Sequence, residues 1–169
     1  TYRPVAVYAS DVNGDGITEL PRAVLMAGYK DTSSSDAVYM LDWYAYGIGK
    51  VPAKVATTYQ NISDAWSLLI DQKWHDRITA IKANDGGLSY VEFFEYRKNK
   101  MSIPLFNIYC ATGSNREYYA ERTDLIQLGQ TTQAIYFAKL TNEGEQSELA
   151  LTGDEIKARF SLVNQAWNN

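Results

Sequence analysis

Apolar and polar positions alternate with a period of two along much of this chain, which predicts strands rather than helices through its middle. Residues 37–46 are built on β-branched and aromatic side chains and read as a strand, broken by Gly47, Gly49 and Pro52. From Val55 the chain passes through a polar stretch to the apolar run 65–70, a further strand, and then to a turn over 71–76 around Trp74. Residues 78–83, 88–96 and 103–111 continue as antiparallel candidates, joined by Asn84-Asp85-Gly86-Gly87 and by residues 97–100. Near the amino terminus Val5, Val7 and Ala9 alternate with Ala6 and Tyr8, and the apolar run 23–27 follows Pro21, so two strands flank residues 11–19. Residues 30–36 are a polar, Ser-rich turn.

Two segments depart from this period and carry helix caps. Ser114 with Glu117 three residues on is a capping box that opens a helix to about Arg122, and Thr152 with Glu155 is a second one. After the second box Ile156, Phe160, Val163 and Trp167 recur at i, i+4, i+7 and i+11, one apolar stripe down a carboxy-terminal helix. Between the two helices, residues 125–128 and 134–140 are strands. This order predicts an α+β fold, a mostly antiparallel sheet with two main helices packed on it. Residues 1–58 form a β segment and residues 59–169 an α+β domain, packed together as one unit because a lone hairpin is marginal in water.

The stretch with the sharpest chemistry is Asp11-Val12-Asn13-Gly14-Asp15-Gly16-Ile17-Thr18-Glu19. In a calcium loop, positions 1, 3 and 5 supply side-chain oxygens, position 6 is a glycine for the sharp turn and position 7 gives a backbone carbonyl. Asp11, Asn13, Asp15, Gly16 and Ile17 occupy those places, and Glu19 at position 9 can close the shell directly or through water. Position 12, where a helix-flanked EF-hand needs a bidentate glutamate, is Arg22, so this loop belongs between strands. The same composition also makes a metal-free turn whose side chains bond to their own backbone. Three carboxylates this close repel one another when no cation is present. The ion expected is calcium, held with the modest affinity of the extracellular class, on the order of 10⁻⁴–10⁻³ M.

The string Tyr8-Ala9-Ser10, the loop Asp11 to Gly16 and then Glu19-Leu20-Pro21 resemble the FG-GAP/VCBS-type repeats of bacterial surface proteins and integrin-like propellers. The likeness covers about the first 30 residues. It implies a calcium-loop β-hairpin, here the last repeat of a longer parent protein, since one such loop without internal repeats cannot make a propeller. Residues 66–167, with Asp71-Gln72-Lys73-Trp74 and Pro104-Leu105-Phe106-Asn107-Ile108-Tyr109, resemble small extracytoplasmic lipoprotein domains of Firmicutes. That second likeness implies a PsbP-like topology and a parent that is lipid-anchored.

Composition narrows the partners. The chain of 169 residues is 46% apolar, enough for one domain with a sizeable core. Its 16 basic and 20 acidic residues give a formal net charge of −4, which a bound divalent cation would bring to −2. With no stripe of Lys or Arg, nucleic acid is not an expected partner. No apolar run approaches the roughly 20 residues of a membrane span. The single cysteine, Cys110, excludes an internal disulfide. An extracytoplasmic place, at the cell surface or secreted from a bacterium, follows from the loop, because only there do weak calcium sites stay filled.

Catalytic candidates are sparse. His75 is the only histidine, a possible neutral-pH base with Asp76 or Asp64 to orient it, and it reads more simply as a solvated turn residue. Cys110 ends an apolar strand and reads as an inert buried thiol. Glu92 and Glu95, at odd separation on one strand, face opposite sides and do not make a paired-carboxylate site. No nucleophile elbow, phosphate loop, Cys-x-x-Cys or dinucleotide fingerprint is present, so no residue is assigned a catalytic role. Thirteen tyrosines and four tryptophans exceed the needs of such a core, and Trp43, Tyr44 and Tyr46, on both faces of one strand, are candidates for binding a protein or cell-wall polymer. Two readings follow: a surface-associated structural or interaction module of unknown ligand with a calcium-stabilised hairpin, or a hydrolytic enzyme using His75 with a neighbouring aspartate.

Overall fold

The hairpin over residues 88–112 shows how the alternation becomes architecture: Val91, Phe93 and Glu95 are buried, while Glu92, Phe94 and Tyr96 between them are only half-buried. The same logic repeats along the molecule, a computed structural model that describes residues 5–29, 36–85, 87–114 and 116–163. Ten strands form among these residues: β1 (Leu20–Leu25), β2 (Tyr39–Ala45), β3 (Ala53–Asn61), β4 (Trp66–Leu69), β5 (Ile78–Asp85), β6 (Leu88–Arg97), β7 (Lys100–Thr112), β8 (Ile126–Gln130), β9 (Ala134–Leu140) and β10 (Phe160–Leu162). Two short helices accompany them, α1 (Arg116–Ala120) and α2 (Gly153–Arg159).

The strands make two five-stranded sheets, ordered β1-β2-β3-β4-β10 and β5-β6-β7-β9-β8, with antiparallel pairing at each ladder. Their inner faces share one core, in which aromatic rings run from sheet to sheet. Tyr59 of β3 meets Phe93 of β6 edge-on at 5.4 Å, Phe93 stacks on Phe106 of β7 at 4.9 Å, and Phe160 of β10 lies 5.6 Å from Tyr136 of β9. Trp66 of β4 joins them through Tyr59 at 5.4 Å and Phe160 at 5.8 Å. Rings at such separations add about 0.5–1.5 kcal/mol per pair beyond their burial.

The expected α+β fold with two main helices is overturned. Among the described residues strands account for 49% and helices, short 3-10 turns included, for 12%, and α2 is the one helix there to reach seven residues. The architecture is mostly β, two antiparallel sheets packed on a common core, in place of an α+β sheet carrying two main helices. The expected helix from Ser114 to Arg122 shrinks to five residues with none buried. The second capping box does form: Thr152 Oγ1 accepts from the Glu155 amide at 3.2 Å, and Glu155 Oε2 accepts from the Thr152 amide at 2.8 Å. But the helix stops at Arg159, and Phe160 takes φ −82° and ψ 138° and enters β10.

The physical reason lies across the core. β4 needs a partner on its second edge, and Phe160-Ser161-Leu162 supplies one by pairing with Leu68, Ser67 and Trp66. As a strand this segment buries the Phe160 ring and also gains the ladder to β4. Trp167, the last residue of the expected stripe, lies outside the described residues, as do residues 30–35 of the Ser-rich turn and Gly86 of the 84–87 turn.

Two further differences sit in the first sheet. Residues 53–61, seen in sequence as mostly polar, form β3, because Thr57 and Thr58 are β-branched and their buried hydroxyls are satisfied: Thr57 Oγ1 donates to Asp42 Oδ1 at 2.6 Å, and Thr58 Oγ1 accepts from Trp43 Nε1 at 2.8 Å. The chain passes residues 58 and 59 in the middle of this strand. Residues 5–9 lie outside any strand, and the arm preceding the loop pairs with the returning chain through an isolated antiparallel bridge, Ser10 with Glu19.

Candidate metal centre

The Ser10–Glu19 bridge closes residues 11–18 into a loop through two backbone bonds, Ser10 N–H to the Glu19 carbonyl at 3.1 Å and Glu19 N–H to the Ser10 carbonyl at 3.0 Å. Inside it the Asp11 side chain organises the turn. Its Oδ1 accepts from the amides of Gly14 (2.7 Å) and Asp15 (3.1 Å), and its Oδ2 accepts from Gly16 (2.8 Å). This demands a backbone that curls back on Asp11, and Gly14 and Gly16 do so at φ 78° and 82°. A Cβ at Gly16 would meet nothing within 4 Å, so glycine is required there for its dihedral and not for space. The Gly16 amide is the main reason the Asp11 carboxyl is held below the usual carboxylate range; slight burial opposes it, and the other loop amides add to it.

The remaining expected ligands gather around this turn. Asp15 Oδ1 accepts from the Ile17 amide at 2.8 Å and Oδ2 from Asn13 Nδ2 at 2.9 Å, while Asn13 Oδ1 accepts from the Asp15 amide at 3.1 Å. Ile17 keeps its side chain outward. Glu19 is different: it is 0% exposed, with Oε2 accepting from the Val12 amide at 2.9 Å and Oε1 without a hydrogen-bond partner. Asp11, Asp15 and Glu19 each place a carboxylate oxygen within 4.8 Å of the other two.

A carboxylate buried with an oxygen that accepts no hydrogen bond is costly unless a positive charge meets it. Among the described residues no Lys or Arg pairs with it, whereas two further carboxylates do converge on it. A carboxylate has about four lone-pair sites, so the three amides on Asp11 leave one for a cation. The donor set is all oxygen, which suits a hard divalent ion and excludes the soft-ligand metals. The residues therefore fit a hard divalent cation. The metal-free turn is part of the picture, since the Asx-type bonds are present, but they leave Glu19 Oε1 unexplained.

The other sequence candidates do not converge. Trp43 is 1% exposed and bonded to Thr58, Tyr44 is half-buried and Tyr46 is 57% exposed, so the three present no common aromatic face. His75 Nε2 lies 3.3 Å from Lys54 Nζ and 3.8 Å from Asp42 Oδ1, and it is Asp42 and not Asp76 or Asp64 that stands beside it. Asp64 accepts from Asn61 and Ser89 at 2.9 and 2.8 Å, a structural role. Cys110 is buried, and burial pushes its thiol up to about 11, the wrong direction for a nucleophile. Glu92 and Glu95 face opposite sides as expected; Glu95 is enclosed by Arg77, Arg97 and Ser147.

One feature escaped the sequence. Residues 6–12 run over the outer face of the first sheet and leave a cleft of about 770 Å³, floored by Trp43, Thr58, Gln60, Ser67 and Ser161. Five separate stretches of chain build it, so no local pattern could announce it. Asp11 and Val12 belong to both the cleft and the loop. Among the described residues no helix is long and apolar enough to cross a membrane.

Set beside known proteins, the chain matches no family model, no curated protein and no solved structure.

Proposed function

We propose that this protein is an extracytoplasmic, surface-associated structural and interaction module whose 11–19 loop binds a calcium ion. The observation that carries the reading is the buried, unpartnered Oε1 of Glu19, grouped with Asp11 and Asp15. Asp11, Asn13, Asp15 and Glu19 would hold the ion with side-chain oxygens and Ile17 with its carbonyl; bound there, calcium supplies positive charge to three mutually repelling carboxylates.

The residues of the chain do the rest. Asp11 fixes the turn through three amides, and Glu19 ties the returning strand to Val12. With the bridge at Ser10 as the hinge, the loop holds residues 6–12 above the first sheet. A shell of about five protein oxygens belongs to the weak class of sites, filled at the millimolar calcium outside cells. That affinity supports an extracytoplasmic location, and the likeness of residues 8–21 to FG-GAP/VCBS repeats supports a place on a larger bacterial surface protein whose partner is a protein or a cell-wall polymer.

The hydrolase reading gains no support at His75, whose Nε2 lies 3.3 Å from Lys54 Nζ and which does not line the cleft over the first sheet. The deciding experiment is calorimetric titration of calcium into chelator-treated protein. One-site binding in the 10⁻⁴–10⁻³ M range, absent in Asp11→Asn and Asp15→Asn, is expected. No heat and no thermal shift at millimolar calcium would overturn the reading.

A further inference from the structure

We infer that the cleft between residues 6–12 and the outer face of the first sheet is a binding site for a neutral oligosaccharide; this rests on the interaction-module reading above and names its ligand class. The volume, about 770 Å³, lies within the range of about 300–1,000 Å³ typical of small-molecule sites. The floor is a row of uncharged polar side chains carried by three adjacent strands. Gln60 of β3 pairs across the ladder with Ser67 of β4, and Ser67 pairs with Ser161 of β10, so an amide and two hydroxyls stand abreast.

Thr58 continues the floor towards Trp43, with its Oγ1 accepting from Trp43 Nε1 and from Gln60 Nε2 at 3.2 Å. The strands beneath spend their backbone groups on the β3–β4 and β4–β10 ladders, so the floor offers side-chain groups, which can donate and accept in turn as a sugar hydroxyl does. Apolar surface lines the sides: Ile62, Leu69 and Leu162, with Tyr8 63% exposed on the opposite wall. Alternation of hydroxyl-binding floor and apolar rim matches the edges and the C–H faces of pyranose rings.

Charge argues for a neutral ligand. The two charged residues that line the cleft, Asp11 and Arg159, are both engaged. Asp11 accepts three loop amides, and Arg159 Nη2 donates to Asp71 Oδ2 at 3.1 Å while its guanidinium lies 6.0 Å from the Trp74 ring centre. Among the described residues a uronic-acid polymer or teichoic acid would find one cation, already paired with Asp71, and a basic polymer one anion, already turned to the loop amides.

The test applies the whole calcium-saturated chain to an array of short neutral oligosaccharides (gluco-, manno-, xylo- and chito-oligosaccharides) beside uronate-containing glycans and random peptides. Binding to a neutral series is expected. It should weaken about tenfold or more in Ser67→Leu and in Ser161→Leu, each of which removes a floor hydroxyl, and persist in the remote variant Tyr118→Ala. Gln60→Glu, similar in size, places a charge on the floor and should weaken the same interaction if the leucine variants fold poorly. Absence of saccharide binding by folded protein, a preference for charged glycans or peptides, or binding indifferent to all three floor substitutions would overturn the inference. Calcium titrated into the same sample reads the metal site separately: calcium heat without saccharide binding defeats this inference alone, and saccharide binding without calcium heat defeats the metal reading alone.

Discussion

The Val12 amide donates to Oε2 of Glu19 at 2.9 Å across the loop, and the other oxygen of the same buried carboxylate has no partner. One oxygen of Glu19 thus closes the hairpin, and under the proposed function the other would meet the ion. Glu19→Gln separates the two roles. In chelator the variant should melt at or above the wild-type temperature, since a neutral amide costs less to bury than an unpaired carboxylate. In calcium the order should reverse, because only the wild type gains the linkage term, about 2.7 kcal/mol at a hundredfold excess over Kd. Melting curves of both proteins with and without calcium check the crossing; equal destabilisation in both conditions would deny Glu19 a metal role.

Glu95 is a buried carboxylate whose partners are all present. Arg97 Nε lies at 2.6 Å, Arg77 Nη2 at 3.1 Å and Ser147 Oγ at 2.5 Å. Burial alone would raise its carboxyl, but the bonds from Arg97, Ser147 and Arg77 outweigh it and hold the group below the ordinary 4.5. A depressed folded value means that this stabilisation is complete above the unfolded value and is lost as pH falls through the folded one. Acid denaturation should therefore be steeper below pH 4.5 in the wild type than in Glu95→Gln. At neutral pH the substitution should cost about 1.5–3 kcal/mol, towards the lower end because Arg77 and Arg97 are 41% and 46% exposed and can turn to water. Urea unfolding of both proteins across pH reads both effects.

The β6–β7 hairpin turns on two residues, Lys98 and Asn99, both left-handed at φ 49° and 59°. This is the geometry of a type I′ turn, for which Asn-Gly is the favoured pair. The double substitution Lys98→Asn/Asn99→Gly should stabilise the protein by about 1 kcal/mol, seen as a higher urea midpoint at unchanged slope. A lower midpoint would show that the turn is not held in this form.

Gly144 illustrates the opposite case, a glycine needed for space. A Cβ there would run into the Leu105 carbonyl and come within 2.6 Å of Thr141 Oγ1. Thr141 donates to the Pro104 carbonyl and accepts from the Gly144 amide at 2.9 Å, so neither neighbour can retreat without breaking a bond. Gly144→Ala should cost about 2–4 kcal/mol, measurable by thermal or chemical unfolding, while Gly49→Ala, in open space, pays only for its left-handed φ.

Much of this molecule is local and was legible from its residues. The strands over 134–140 and 88–96, the Thr152–Glu155 box and the turn at Gly14 and Gly16 depend on side-chain period, caps and glycine dihedrals that a short window contains. The convergence of Asp11, Asp15 and Glu19 was readable for the same reason, since all three lie within nine residues. Phe160 was not: its spacing from Ile156 fits a helix, and only the open edge of β4, some ninety residues earlier, makes a strand the better use of that ring. β3 was hidden likewise, because the burial of Thr57 and Thr58 depends on Asp42 and Trp43 in the neighbouring strand. The amino-acid order alone determined where the chain turns and which oxygens gather round the loop, interactions whose partners are covalently close. Tertiary structure decided the balance of strand over helix, the burial of Trp43 and the existence of the cleft, because each depends on which distant segment reaches a free sheet edge or face first satisfied by its hydrogen bonds.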